Sequence, residues 1–119
     1  MASEEKTRLL AGWLYEKQAT DIVALNVATI CSITECIIVA SARGARHAQA
    51  LADATMKRAG EESLEFLSVE GYQNGDWVLM DFNDVIIHIF QSEVRSLYNI
   101  EGLWSEGGSL ELGLPKDDD

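Results

Sequence analysis

The stretch Cys36-Ile37-Ile38-Val39-Ala40-Ser41 restricts the fold more than any other part of the chain. It is apolar without alternation, which predicts a strand buried on both faces. A companion strand is expected upstream, where Asp21 opens the run Ile22-Val23-Ala24-Leu25-Asn26-Val27. That run is too short for a helix and rich in strand-forming residues. A polar turn through Thr29 to Glu35 joins the two.

Helical spacing flanks this pair. Ser3 is placed to cap a helix from Glu4 to Lys17, with two acids in its first turn and Leu10, Trp13 and Leu14 on one face. From Arg43 to Ala59 the positions Ala48, Leu51, Ala52, Met56 and Ala59 recur three and four apart, and Gly60 follows as the expected stop. A face of such small residues suits close packing on a sheet.

Three further strands are predicted as an antiparallel meander. Leu64 to Tyr72 leads into Asn74-Gly75, read as a two-residue hairpin turn, and Trp77 to Phe82 returns. Asn83-Asp84 turns the chain again into Val85 to Phe90. In this last strand Val85, Ile87 and Ile89 form the core face, and Ile86, His88 and Phe90 share the other. Glu93, Val94, Leu97, Tyr98 and Ile100 then continue with helical spacing, and a short turn holds Leu103 and Trp104. Beyond Trp104, three glycines, Pro115 and the run Lys116-Asp117-Asp118-Asp119 read as a flexible acidic tail. The expected fold is therefore α/β (α+β), a mixed five-stranded sheet with helices mainly on one face. It divides into an N-terminal helix over 1–19, a domain over 20–104 and a tail over 105–119.

Composition narrows the function. At 119 residues the chain makes one domain, and no apolar run reaches the roughly eighteen residues of a membrane span. Acids stand where a signal peptide would carry positive charge, so a cytoplasmic protein is expected. Cys31 and Cys36 have no second pair to complete a zinc site and read as free thiols. Residues 1–60 hold seven Lys or Arg against six Asp or Glu, whereas residues 61–119 hold two against fourteen. Such an acidic half repels phosphate backbones and argues against nucleic-acid binding. It suits a cationic partner, or serves only to keep the protein dispersed.

No catalytic set assembles. Glu70, Asp81, Asp84 and His88 could be imagined as a divalent-metal or acid-base cluster, but turn chemistry explains the two aspartates more simply. Ser41-Ala42-Arg43-Gly44 sits where α/β folds often hold a phosphate, yet it lacks a glycine fingerprint. Only His47 and His88 could serve as imidazole bases, and no nucleophile elbow is present. The expectation is a protein without catalytic residues, cofactor or metal. His88 is either a satisfied half-buried histidine or part of an exposed binding face. Trp77, Tyr98 and Trp104 fall close to one acidic region; such large amphipathic rings are enriched in binding hot spots, while any one of them taken alone is slightly more often a core residue.

Several ordered segments carry a resemblance to a known family. They are Val69-Glu70-Gly71-Tyr72, Asp76-Trp77-Val78-Leu79-Met80-Asp81, Asp84-Val85-Ile86-Ile87-His88-Ile89-Phe90, Glu93-Val94-Arg95-Ser96-Leu97-Tyr98 and Leu103-Trp104. With Asp21 to Val27, Ser32 to Thr34, Arg46-His47 and Ala52-Asp53 upstream, the chain resembles the ribosomal silencing factors, or Iojap family, over roughly residues 20–104. It departs from the family pattern near Glu35, at Ala42 to Gly44 and at Asn83. The resemblance implies a fold similar to nucleotidyltransferases without their catalytic carboxylates. It also implies binding to the large ribosomal subunit through ribosomal protein fourteen, where the bound protein blocks joining of the small subunit and represses translation under nutrient limitation. The expected partner contacts are Trp77, Asp81, His88, Glu93 and Tyr98. A homodimer is plausible for the free protein. The alternatives are a nucleotidyltransferase-like nucleotide-binding enzyme using Ser41, Asp81 and Asp84, and a simple dimerisation module.

Overall fold

The computed structural model of the chain describes residues 2–104 and 106–114. In order these form α1 (Ser3–Glu16), β1 (Thr20–Asn26), β2 (Cys36–Ala42), α2 (Ala45–Glu61), β3 (Ser68–Glu70), β4 (Trp77–Asp81), β5 (Val85–Gln91), α3 (Ser92–Tyr98), α4 (Ile100–Leu103) and β6 (Gly108–Ser109). The strands make one mixed sheet in the order β3-β4-β5-β2-β1-β6. Only the central pair, β2 with β5, is parallel.

The unalternating run that predicted a doubly covered strand is that central strand, and all seven of its residues are buried. The sheet has two unequal sides. On one, α1 and α2 pack Leu10, Leu14, Leu51 and Ala52 against Ile38, Val78, Met80, Ile87 and Ile89, all without exposure. The small side chains of α2 let it lie close to the strands, as their spacing predicts. On the other side, Val27, Ile37, Val39, Phe90 and Ile100 form a smaller core, with Val94 and Trp104 packed against it. The two long helices therefore share one face, as expected, while the short α3 and α4 cover part of the other.

Several local expectations are corrected. The sheet has six strands, because Gly108–Ser109 pairs with Asn26 and Leu25 in a stretch that reads as a loose tail. Leu110 N–H follows by donating to Ala24 O. Lys116 to Asp119 lie outside the described residues. Asn74-Gly75 is not a two-residue hairpin. Glu70 pairs with Leu79, so a broad loop separates β3 from β4, and Gly71 and Gly75 both adopt a φ of 76°. Its shape is set from outside: Gln49 Nε2 donates to Tyr72 O, and Tyr72 Oη donates to Asp53 Oδ2, both partners on α2. Ser3 is the first helical residue and not the cap; its hydroxyl donates to Glu35. Gly60 lies inside the last turn of α2, and Ser63 takes the left-handed position at φ 57°, closed by Leu64 N–H to Ala59 O. Finally, the helix expected to run through Ile100 breaks at Asn99, which takes a left-handed φ of 46° and turns α3 into α4.

Candidate functional site

Alternation along β4 and β5 builds the candidate surface. Val78 and Met80 point into the main core, so Trp77, Leu79 and Asp81 point the opposite way. Ile86, His88 and Phe90 of β5 share that side. Helices α3 and α4 cover the side over β2 and the end of β5, and leave the β4 flank only partly covered.

Trp77 lies opposite Phe90 in the ladder, and Leu79 lies opposite His88. His88 is thus the diagonal neighbour of Trp77, within reach of a long side chain. The Trp77 indole stacks on Phe90 with centroids 5.0 Å apart and meets the Tyr98 ring at 4.8 Å. Its Nε1–H donates to His88 Nδ1 at 3.0 Å. Phe90 is fully buried and His88 is 8% exposed, whereas Tyr98 is 50% exposed. Burial holds the His88 ring far below the usual histidine range, at about 4, so it is neutral at neutral pH.

The structure therefore brings together three of the five residues predicted from sequence: Trp77, His88 and Tyr98. Asp81 shares their sheet face but lies four residues along β4 from Trp77, roughly 13 Å at strand rise. One of its carboxylate oxygens accepts the Asn83 N–H at 2.8 Å, the turn role expected of it. Glu93 is exposed in the first turn of α3. On that helix Val94 and Tyr98 are turned toward the sheet, and Glu93 is displaced from Tyr98 by about 140° around the axis. It is not part of the ring cluster.

Sequence reasoning missed the exposure of two apolar side chains on α3 and α4, Leu97 and Leu103, which are 79% and 71% exposed. Helical spacing groups Leu97 with Val94, Tyr98 and Ile100 and does not tell its exposure from theirs. It also missed Arg95. Its guanidinium donates to Asp21 O, to Ser41 Oγ at 2.8 Å and to Glu101 at 2.9 Å. This pins α3 and α4 to β1 and β2, and the bond from Arg95 holds the Glu101 carboxyl below the usual range.

The residues of the nucleotide-binding alternative do not converge. Ser41 pairs with Phe90 near one end of β5, while Asp84 precedes the other end. Six residues of strand separate them, roughly 20 Å. The Ser41 hydroxyl accepts from Arg95, and Asp84 accepts from Lys6 Nζ at 2.7 Å. In the loop before α2, Arg43 N–H donates to His47 Nδ1 and His47 Nε2–H donates to Lys17 O. Each group is engaged in holding the fold. Among the described residues no three His, Cys, Asp or Glu side chains are grouped to hold a metal, and no helix is long and apolar enough to cross a membrane.

The model of a family described as "Ribosomal silencing factor during starvation" matches residues 1–119. The ribosomal silencing factor of Halalkalibacterium halodurans is 33% identical over 112 residues, covering 94% of this chain and 96% of that one. A crystal structure of a Chromobacterium violaceum protein superposes with a TM-score of 0.85 at 30% identity, covering 98% of this chain and 92% of that one. A more distant relative, the mouse "Mitochondrial assembly of ribosomal large subunit protein 1", is 27% identical over 82% of this chain and 44% of its own length.

Proposed function

Because the chain belongs to the ribosomal silencing factor family, we propose that it binds the large ribosomal subunit through ribosomal protein fourteen at the subunit interface. The bound domain then occupies volume that the small subunit needs, and so represses translation under nutrient limitation. The action is steric and requires no catalytic residue or cofactor. It takes place in the cytoplasm, where ribosomes are.

The observation that carries this reading is the half-covered sheet face, where Tyr98 is half exposed and Trp77 partly so. Trp77 and Tyr98 offer rigid, amphipathic anchors, and Asp81, farther along β4, and Glu93, on another side of α3, are the acids of the proposed contact set. His88, 8% exposed, is the least accessible of the five proposed contacts. A net charge of −11 gives the whole molecule the sign that a basic ribosomal protein attracts. The name of the mouse relative points to the large subunit as well. The exposed side chains of Leu97 and Leu103 also suit a homodimer in the free protein.

Sedimentation of the purified chain with isolated subunits tests the reading. It should co-migrate with the large subunit and not with the small one, and added chain should reduce formation of joined ribosomes. Co-migration with neither subunit would refute it. The nucleotide-binding alternative has no converging site in its favour.

A further inference from the structure

Stacking holds an aromatic ring in a plane but does not tell its two edges apart. The Trp77 indole is stacked on Phe90 and tilted against Tyr98, and two orientations half a turn apart about Cβ–Cγ share the same ring plane. Only one of them points Nε1–H at His88 Nδ1, the orientation observed at 3.0 Å. His88 is nearly covered, and it lies diagonally across the ladder on a central part of β5 whose backbone is fixed on both sides.

We propose that His88 is the positioning residue of the docking face: by accepting the Trp77 indole N–H it selects the single orientation in which Trp77 is presented to the partner. This rests on the docking face described above. The ring has to be neutral, with its proton on Nε2, since a second proton on Nδ1 would oppose the indole N–H. Burial beside apolar neighbours favours that neutral form. With the indole already fixed, binding costs less side-chain ordering than it would for a freely rotating tryptophan.

Two measurements on the full chain test the proposal. In nitrogen-15 NMR of the free protein, His88 Nδ1 should be unprotonated and Nε2 protonated, and the Trp77 indole N–H should exchange slowly with solvent. A protonated Nδ1, or indole exchange as fast as in unfolded chain, would overturn it. In binding to isolated large subunits, His88→Leu and Trp77→Phe should each weaken affinity about tenfold, the scale of one hydrogen bond. The double variant should be no weaker than either single one, and His88→Asn, whose side-chain oxygen lies near the Nδ1 position, should recover most of the loss. Multiplying losses, or a His88→Asn variant as weak as His88→Leu, would refute the positioning role. Trp77→Ala separates the two levels. If it binds like the wild type, the docking face itself is wrong. If it binds weakly while His88→Leu does not, only the role of His88 fails.

Discussion

Lys6, in the second turn of α1, places its ammonium 2.7 Å from Asp84 Oδ1 and 2.8 Å from Phe82 O, joining the first helix to the turn between β4 and β5 across 78 positions of sequence. The Lys6 side chain is 8% exposed and that of Asp84 25%. Removing one member of such a pair leaves a partly buried carboxylate and a carbonyl without their donor. Lys6→Met, which keeps the length of the chain, should lower the free energy of unfolding by roughly 2–4 kcal/mol, read from urea denaturation at pH 7. A loss under about 0.5 kcal/mol would place this contact among surface ion pairs.

Protonation of His88 gives a second prediction. Its ring titrates at about 4 in the folded protein, because of burial, against 6.5 for the ordinary group. The unfolded chain therefore takes up this proton first as the pH falls. Stability from this group is complete above about pH 6.5 and drains away between there and about pH 4, by roughly 3 kcal/mol. Urea unfolding at pH 7, 5.5 and 4 should show the wild type losing stability faster over this window than His88→Asn. Parallel losses in the two proteins would mean that His88 does not resist its proton.

Arg95 acts as the tie between the 92–103 segment and the sheet. Its bond to Asp21 O meets the chain where Asp21 adopts a positive φ of 49° and the β1 register shifts. Lysine cannot reproduce a planar fork that serves three acceptors at once. Arg95→Lys should cost about 1–2 kcal/mol in global stability. Amide hydrogen exchange should quicken across residues 92–103 well before it does in β2 or β5. Uniform quickening throughout the chain would count against a local tie.

Charge at the edge of the proposed docking face should act mainly on encounter. Asp81→Asn and Glu93→Gln remove a negative charge each without touching the ring cluster. Each should reduce large-subunit affinity by a few-fold at low salt and by less at ionic strengths where screening is strong. Titrations at two salt concentrations would show this. An effect independent of salt would point to a direct, desolvated contact instead.

The contrast between legible and illegible parts follows the range of the forces involved. The unalternating run Cys36 to Ser41 announced a central strand because burial on two faces leaves a direct compositional trace. Alternation in Val85 to Phe90 separates Ile87 and Ile89 from His88 and Phe90, which sets His88 on the face away from the main core; that Trp77 shares this face depends on the β4–β5 register. The loop at Asn74-Gly75 differs from the expected hairpin because its shape depends on Gln49 and Asp53 of α2, more than twenty positions away, and no local pattern encodes that reach. Asn99 carried a signal for its left-handed turn, since asparagine tolerates that conformation, but the periodicity around it concealed the break. The two-residue β6 depends wholly on the edge of β1, and nothing in Gly108-Ser109 itself specifies a strand.

The parallel pairing of β2 with β5 also carries a consequence for synthesis. Cys36 meets Val85, so the most apolar strand of the chain waits for a neighbour made forty-nine residues later. At the usual pace of translation, of about 5–20 residues per second, that wait lasts roughly two to ten seconds. During it, α1, β1 and β2 can already come together, with one edge of β2 still open. A growing chain of this kind passes its hazardous interval as a half-built sheet beside the ribosome that made it, and closing that open edge is the step that should govern its folding rate.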